Sequence, residues 1–131
     1  MIIGGSGLFG VNWALRKRYA QDIYLCTNKR KVEIEGTKTI INRYGDQSSY
    51  EELIDMIKPN IVVNAAAVTN IEICEKNKRA AYETNAELAE SLAKITMKKG
   101  VKFVQISTDQ LFSGQKKLMD EKDIVSPVNT V

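Results

Sequence analysis

The residues of this chain with the clearest capacity for chemistry are glycines. Met1-Ile2-Ile3-Gly4-Gly5-Ser6-Gly7-Leu8-Phe9-Gly10 is a short apolar run that breaks into a glycine cluster and continues with helical periodicity. Gly4, Gly7 and Gly10 fit a GxxGxxG spacing, and Gly5, Gly7 and Gly10 fit GxGxxG. Positions without a Cβ let a pyrophosphate or a neighbouring strand approach the backbone, and a helix starting there offers free N–H groups and a partial positive charge to an anion. A flexible turn is the bland alternative, but the flanking strand and helix supply the context a dinucleotide site requires. Ser107-Thr108-Asp109 brings two hydroxyls and a carboxylate to the end of an apolar run. On the residue pattern alone that cluster reads as the end of a strand. There is no histidine, and Cys26 and Cys74 are the only cysteines. Imidazole acid–base chemistry, His-based triads and most zinc sites are thereby excluded, and no metal site is expected. The cysteines read as small, reduced core residues.

The elements that must position these groups belong to an ordinary globular chain. Its 131 residues form one domain, 44% apolar and 27% charged. Nineteen basic and sixteen acidic residues leave a dispersed net charge of +3, which gives no footprint for nucleic acid. No apolar stretch reaches membrane-spanning length, and the start lacks the layout of a signal peptide, so a cytoplasmic protein without membrane contact is expected.

After the glycines, Leu8, Val11, Ala14 and Leu15 recur at helical spacing, with Arg16, Lys17 and Arg18 toward the exposed side and Trp13 as packing. Ile23-Tyr24-Leu25-Cys26 reads as a second strand and residues 37–42 as a third, rich in β-branched side chains. Ser48 with Glu51 and Ser49 with Glu52 fit capping boxes for a helix carrying Tyr50, Leu53, Ile54 and Ile57, which must stop at Lys58 before Pro59. Ile61-Val62-Val63 is a continuous apolar run, the mark of a strand covered on both faces. Residues 78–99 read as one long helix with Ala81, Leu88, Leu92 and Ile95 on a stripe and Gly100 as terminator. Asn85 falls on that stripe, either as a structural bridge or holding an active-site loop. Residues 101–106 form the last strand, and residues 110–131 read as loop. Strands alternating with helices predict an α/β fold of Rossmann type, a doubly wound parallel sheet in three α/β/α layers. Gly4 to Gly10, Thr27 to Arg30, Asn64 to Ala67 and Ser107 to Asp109 should then converge on one crevice at the C-terminal strand edge.

Three motifs in order resemble the extended short-chain dehydrogenase/reductases, and within them the dTDP-4-dehydrorhamnose reductase branch. Gly4-Gly5-Ser6-Gly7-Leu8-Phe9-Gly10 is similar to that family's phosphate turn. Residues 59–69, followed by Glu75, Ala81 and Asn85, resemble its PDVVINAAAYT segment and the next helix. Residues 103–114 resemble HISTDYVFDG. The resemblance implies that residues 1–131 are an NAD(P)-binding Rossmann domain, incomplete at the C-terminus and without its substrate domain. It implies cofactor contacts from Gly4, Gly7, Leu8, Phe9, Gly10, Ala65, Ala66, Ala67, Thr69 and Asn85. It implies hydride transfer to C4 of a nucleotide-linked 4-keto sugar, with the Thr108 hydroxyl, and Ser107 after it, at the reacting oxygen and Asp109 against substrate or ordering the loop. A homodimer is compatible with it. So are two other readings: a nucleotide-sugar epimerase or dehydratase relative, and a non-catalytic dinucleotide-binding subunit like the regulatory subunit of methionine adenosyltransferase.

The chain also departs from the pattern. Gln110 stands where the family usually has tyrosine, and residues 126–131 resemble the segment just before its catalytic Tyr-x-x-x-Lys. Where a selective NAD site carries an acid after the second strand, this chain has Thr27-Asn28-Lys29-Arg30, and Asn42-Arg43 follow the third. Arg30 or Lys29 is suited to pair with a 2′-phosphate, Thr27 and Asn28 supply neutral donors, and Arg43 adds charge. NADP(H) is the expected cofactor, with NAD(H) compatible.

Overall fold

Apolar runs without alternation become strands that are covered on both faces. The computed structural model describes residues 1–42, 47–115 and 118–129. In it, β1 (Ile2–Ile3), β2 (Ile23–Thr27), β3 (Thr37–Ile41), β4 (Ile61–Asn64) and β5 (Lys102–Gln105) form one sheet in the order β3-β2-β1-β4-β5. Every pairing is parallel, with Ile3 beside both Cys26 and Asn64, and Asn64 beside Gln105. The Rossmann-type expectation is met, including the reversal of strand order at β1, where ligands collect in such sheets.

Alternation along the strands divides the core in two. Ile3, Cys26 and Val62 face α2 (Gln47–Ile57) and α5 (Leu88–Lys98), packing with Tyr50, Ile54, Leu88, Leu92 and Ile95. Ile2, Ile23 and Leu25 face Ala14 of α1 (Leu8–Lys17) on the other side. No helix bridges β2 and β3. Residues 28–36 return instead with Val32 and Ile34 against this second cluster, and the Thr37 and Thr39 hydroxyls donate to the Ile34 and Val32 carbonyls. Glu51 and Asp55 of α2 pair with Lys98 and Lys99, with Lys99 Nζ 2.6 Å from the Asp55 carboxylate.

Two local readings are corrected. The buried residues of α1 are Gly10 and Ala14, whereas Leu8 is 85% and Leu15 51% exposed. The helix approaches the sheet so closely that only small residues fit at the contact, and the leucines rotate outward. Ser48 and Ser49 lie inside α2 rather than capping it, and Ser49 Oγ donates to Asn42 Oδ1 at 2.9 Å. The helix read over 78–99 is present as one continuous run, α4 (Lys78–Tyr82), a π-helical turn (Glu83–Glu87) and α5, and a separate α3 (Ile71–Lys76) precedes it. Asn70 and Asn77 cap α3 and α4, accepting from the Ile73 and Ala80 N–H groups. The stop at Lys58 holds, with Lys58 at φ +50° before Pro59.

Both cysteines are free and fully buried. Desolvation pushes the Cys26 thiol up to about 12, against a smaller opposing pull from the nearby N-terminal ammonium. Only the thiolate reacts, so neither cysteine of the native protein should react with an aromatic disulfide reagent at pH 8 within minutes, while two thiols titrate in denaturant. A fast-reacting native thiol would contradict this packing.

Candidate functional site

The site begins where β1 ends. Gly4 has φ +79°, a conformation that L side chains rarely adopt, and a Cβ there would lie 2.7 Å from the Ala65 carbonyl and the Ala66 nitrogen. The glycine turn is therefore pressed against the segment that follows β4. A Cβ on Gly10 would meet the Gly5 backbone at 2.7–2.9 Å, so this glycine sets how closely α1 sits on the strand that feeds it. Gly5 N–H donates to the Cys26 carbonyl and Ala65 N–H to the Ile3 carbonyl, tying the turn to the ends of β2 and β4. Gly7 is the N-cap of α1; it offers no side-chain cap, and the first turn holds no acidic residue. The N–H groups of that turn are free of intrahelical partners and face no competing carboxylate, which suits an anion. Leu8 and Phe9 stand on the exposed side of the same turn, and Phe9 stacks on Trp13 with centroids 5.8 Å apart.

Beside this turn lies Thr27, fully buried at the end of β2, whose Oγ1 has no hydrogen-bond partner among the described residues. Asn42, whose backbone N–H donates to the Thr27 carbonyl at 2.7 Å, carries a buried Nδ2 without a partner among the described residues. A buried polar group left unmade costs on the order of 1–3 kcal/mol, which a polar ligand at this edge would recover. Asn28 is half-buried, and Lys29 and Arg30 are exposed immediately afterwards. Lys31 instead pairs with Glu33 at 2.6 Å, which raises the lysine and lowers the carboxyl from their usual ranges, chiefly through their hydrogen bond. Arg43 lies outside the described residues.

The segment after β4 is clamped from behind. Val68 N–H donates to Asn85 Oδ1 at 2.8 Å, and Asn85 Nδ2 donates to the Val68 carbonyl at 3.0 Å. Cys74 Sγ donates to the same carbonyl at 3.3 Å. The two readings of Asn85 therefore merge: its amide is satisfied, and what satisfies it is the loop carrying Ala65, Ala66, Ala67 and Thr69. Asn85 sits in the middle of the π-helical turn, and such turns are enriched at functional sites. Ala66 is buried, while Ala67 and Thr69 are exposed toward the sheet edge.

After β5, Ser107, Thr108 and Asp109 are exposed. Thr108 caps a 3-10 turn (Asp109–Leu111), its Oγ1 accepting from Gln110 N–H at 3.2 Å and lying 3.4 Å from Asp109 Oδ1. Residues after the turn fold back on it, with Ser126 N–H donating to the Leu111 carbonyl and Asn129 Nδ2 to Gln110 Oε1. Sequence reading placed Asn64 at the crevice but missed Gln105, whose amide joins that of Asn64 across the ends of β4 and β5 at 2.8 Å. They are 41 residues apart, and no local pattern signals their pairing. Among the described residues, no helix is long and apolar enough to cross a membrane.

Comparison with known proteins places this geometry. The family model described as the RmlD substrate binding domain matches residues 1–131. The dTDP-4-dehydrorhamnose reductase of Salmonella typhimurium is 30% identical over 130 residues, covering 98% of this chain and 41% of that protein. Methionine adenosyltransferase 2 subunit beta of Pongo abelii is 29% identical over 133 residues, covering 98% of this chain and 38% of that protein. The crystal structure of a hypothetical dTDP-4-dehydrorhamnose reductase from Sulfolobus tokodaii superimposes with a TM-score of 0.86 at 29% identity, covering 98% of this chain and 46% of that one. The chain thus spans less than half the length of each of these proteins.

Proposed function

This chain belongs to the RmlD substrate binding domain family, among the extended short-chain dehydrogenases/reductases, and on that premise we propose that residues 1–131 are the dinucleotide-binding domain of a cytoplasmic NADP(H)-dependent reductase of a nucleotide-linked 4-keto sugar. The observation that carries the reading is the meeting, on one sheet edge, of an uncapped helix N-terminus, a clamped loop of small residues and an exposed hydroxyl loop. When bound, the nicotinamide dinucleotide supplies the hydride. The free N–H groups of the first turn of α1 would hold its pyrophosphate. Ala65 to Ala67, with no side chain beyond Cβ, leave room beside the turn, and Asn85 fixes their height through Val68. Thr108 Oγ1 accepts from Gln110 N–H, and its own proton points to Asp109 Oδ1 across a long 3.4 Å bond, which the C4 oxygen of a sugar would have to replace as acceptor. Asp109 orders that loop from its neighbouring position.

Cofactor choice follows from the end of β2. Arg30 and Lys29 form no ion pair among the described residues, and no carboxylate stands there to repel a 2′-phosphate. Fluorescence titration of the purified chain should give NADPH an affinity about tenfold above NADH, and Arg30→Ala should remove most of that difference while leaving NADH unchanged. Equal affinities, or equal weakening of both cofactors, would overturn the preference. A second reading, a dinucleotide-binding regulatory subunit without turnover, is favoured by the subunit beta relative. Tight NADPH binding is common to both readings, and turnover separates them.

A further inference from the structure

The ladder between β4 and β5 ends with Ile106 N–H donating to the Asn64 carbonyl at 2.9 Å. Beyond that bond the two chains part, one toward Ala65 to Ala67 and the other toward Ser107 to Asp109, and no strand pairing holds them in register. Two side chains take over. Asn64 and Gln105 are direct cross-strand partners, so they share one face of the sheet. Asn64 Nδ2 donates to Gln105 Oε1 at 2.8 Å, Asn64 Oδ1 accepts from Ala66 N–H at 3.2 Å, and Gln105 Nε2 donates to the Ile106 carbonyl at 2.8 Å. The result is a continuous bridge from the backbone of one loop, through two amides, to the backbone of the other. Asn64 is fully buried, so water is a poor substitute for the acceptor that Gln105 gives it.

We infer that Gln105 is a positioning residue, which sets the spacing between the small-residue loop after β4 and the hydroxyl loop after β5. The inference rests on the dinucleotide reading of the crevice and adds a residue that spans it. Two requirements follow from the bridge: an acceptor facing Asn64 and a donor facing the Ile106 carbonyl. Leucine has the bulk of glutamine and neither function. Histidine carries both on its two ring nitrogens.

The experiment measures NADPH affinity and amide hydrogen exchange for the wild-type chain, Gln105→Leu and Gln105→His. Gln105→Leu should weaken NADPH by about tenfold and speed exchange at the Ala66 and Ile106 amides, and Gln105→His should restore both toward wild type. Equal affinity and unchanged exchange in Gln105→Leu would overturn the inference. So would loss in both variants alike, since that follows from any disturbance of the strand end. If Gln105→Leu does not fold, Gln105→His decides alone: wild-type affinity and exchange support the bridge, and weakened binding refutes it. Failure of the wild-type chain to bind NADPH would refute the dinucleotide reading instead, while the exchange measurement still tests the bridge without ligand.

Discussion

Gly4→Ala should cost the domain about 2–5 kcal/mol and reduce NADPH affinity on the order of a hundredfold. Two penalties add. An alanine held at φ +79° pays about 1–2 kcal/mol for its left-handed backbone. The new methyl group also falls 2.7 Å from the Ala65 carbonyl and Ala66 nitrogen, neither of which is the far end of a flexible side chain. Relief requires the loop after β4 to move away, and overpacking of this kind typically costs a further 1–3 kcal/mol. That loop is fixed from behind by Asn85 and Asn64, so movement on one side breaks bonds on the other. Thermal unfolding should show a Tm lower on the order of 10 °C, and titration should show the lost affinity. An alanine variant within 0.5 kcal/mol of wild type that binds NADPH equally would mean that turn and loop are not pressed together as described.

The second large effect is an absence of turnover. Supplied with NADPH and a dTDP-linked 4-keto sugar, residues 1–131 should reduce it at least roughly a thousandfold more slowly than a full-length relative such as the Salmonella enzyme. Thr108 offers a hydroxyl at the sheet edge, but the sequence holds neither a histidine nor a Tyr-x-x-x-Lys to deliver a proton through it. The relatives extend well beyond the part this chain matches, and remote binding energy from such a region is what positions a keto group for attack. Measurable turnover by the purified chain would show that the proton donor has been misplaced. Tight NADPH binding without turnover would fit the domain assignment.

Some of this was readable from the residues because the physics involved is local. A glycine cluster between an apolar run and a helical repeat specifies strand, turn and helix, since chain stiffness and apolar periodicity act over a few residues. Continuous apolar runs at Ile61 to Val63 and alternating elements along the chain implied a parallel sheet covered on both faces. Pro59 ended its helix where expected, and Gly100, at φ +65°, does the same for α5. Even the basic run after β2 was visible as a departure from an acid.

Other features depended on distances that no local pattern encodes. The outward turn of Leu8 and Leu15 follows from the approach of α1 to Gly5, a packing distance set by the sheet rather than by the helix's own periodicity. The π-helical turn within the helix over residues 78–98 follows the same logic. Propensity favours one uninterrupted helix there, and the two hydrogen bonds that Asn85 makes to Val68, 17 residues away, accompany the local widening. The Asn64–Gln105 bridge is the extreme case, because its members meet only once β4 and β5 pair in one particular register. The sequence by itself therefore determined the elements, their order and the edge on which the chemistry gathers, all consequences of short-range patterning. The tertiary structure alone decided the heights and spacings of the loops on that edge, because long-range amide bonds and steric contacts between elements set them.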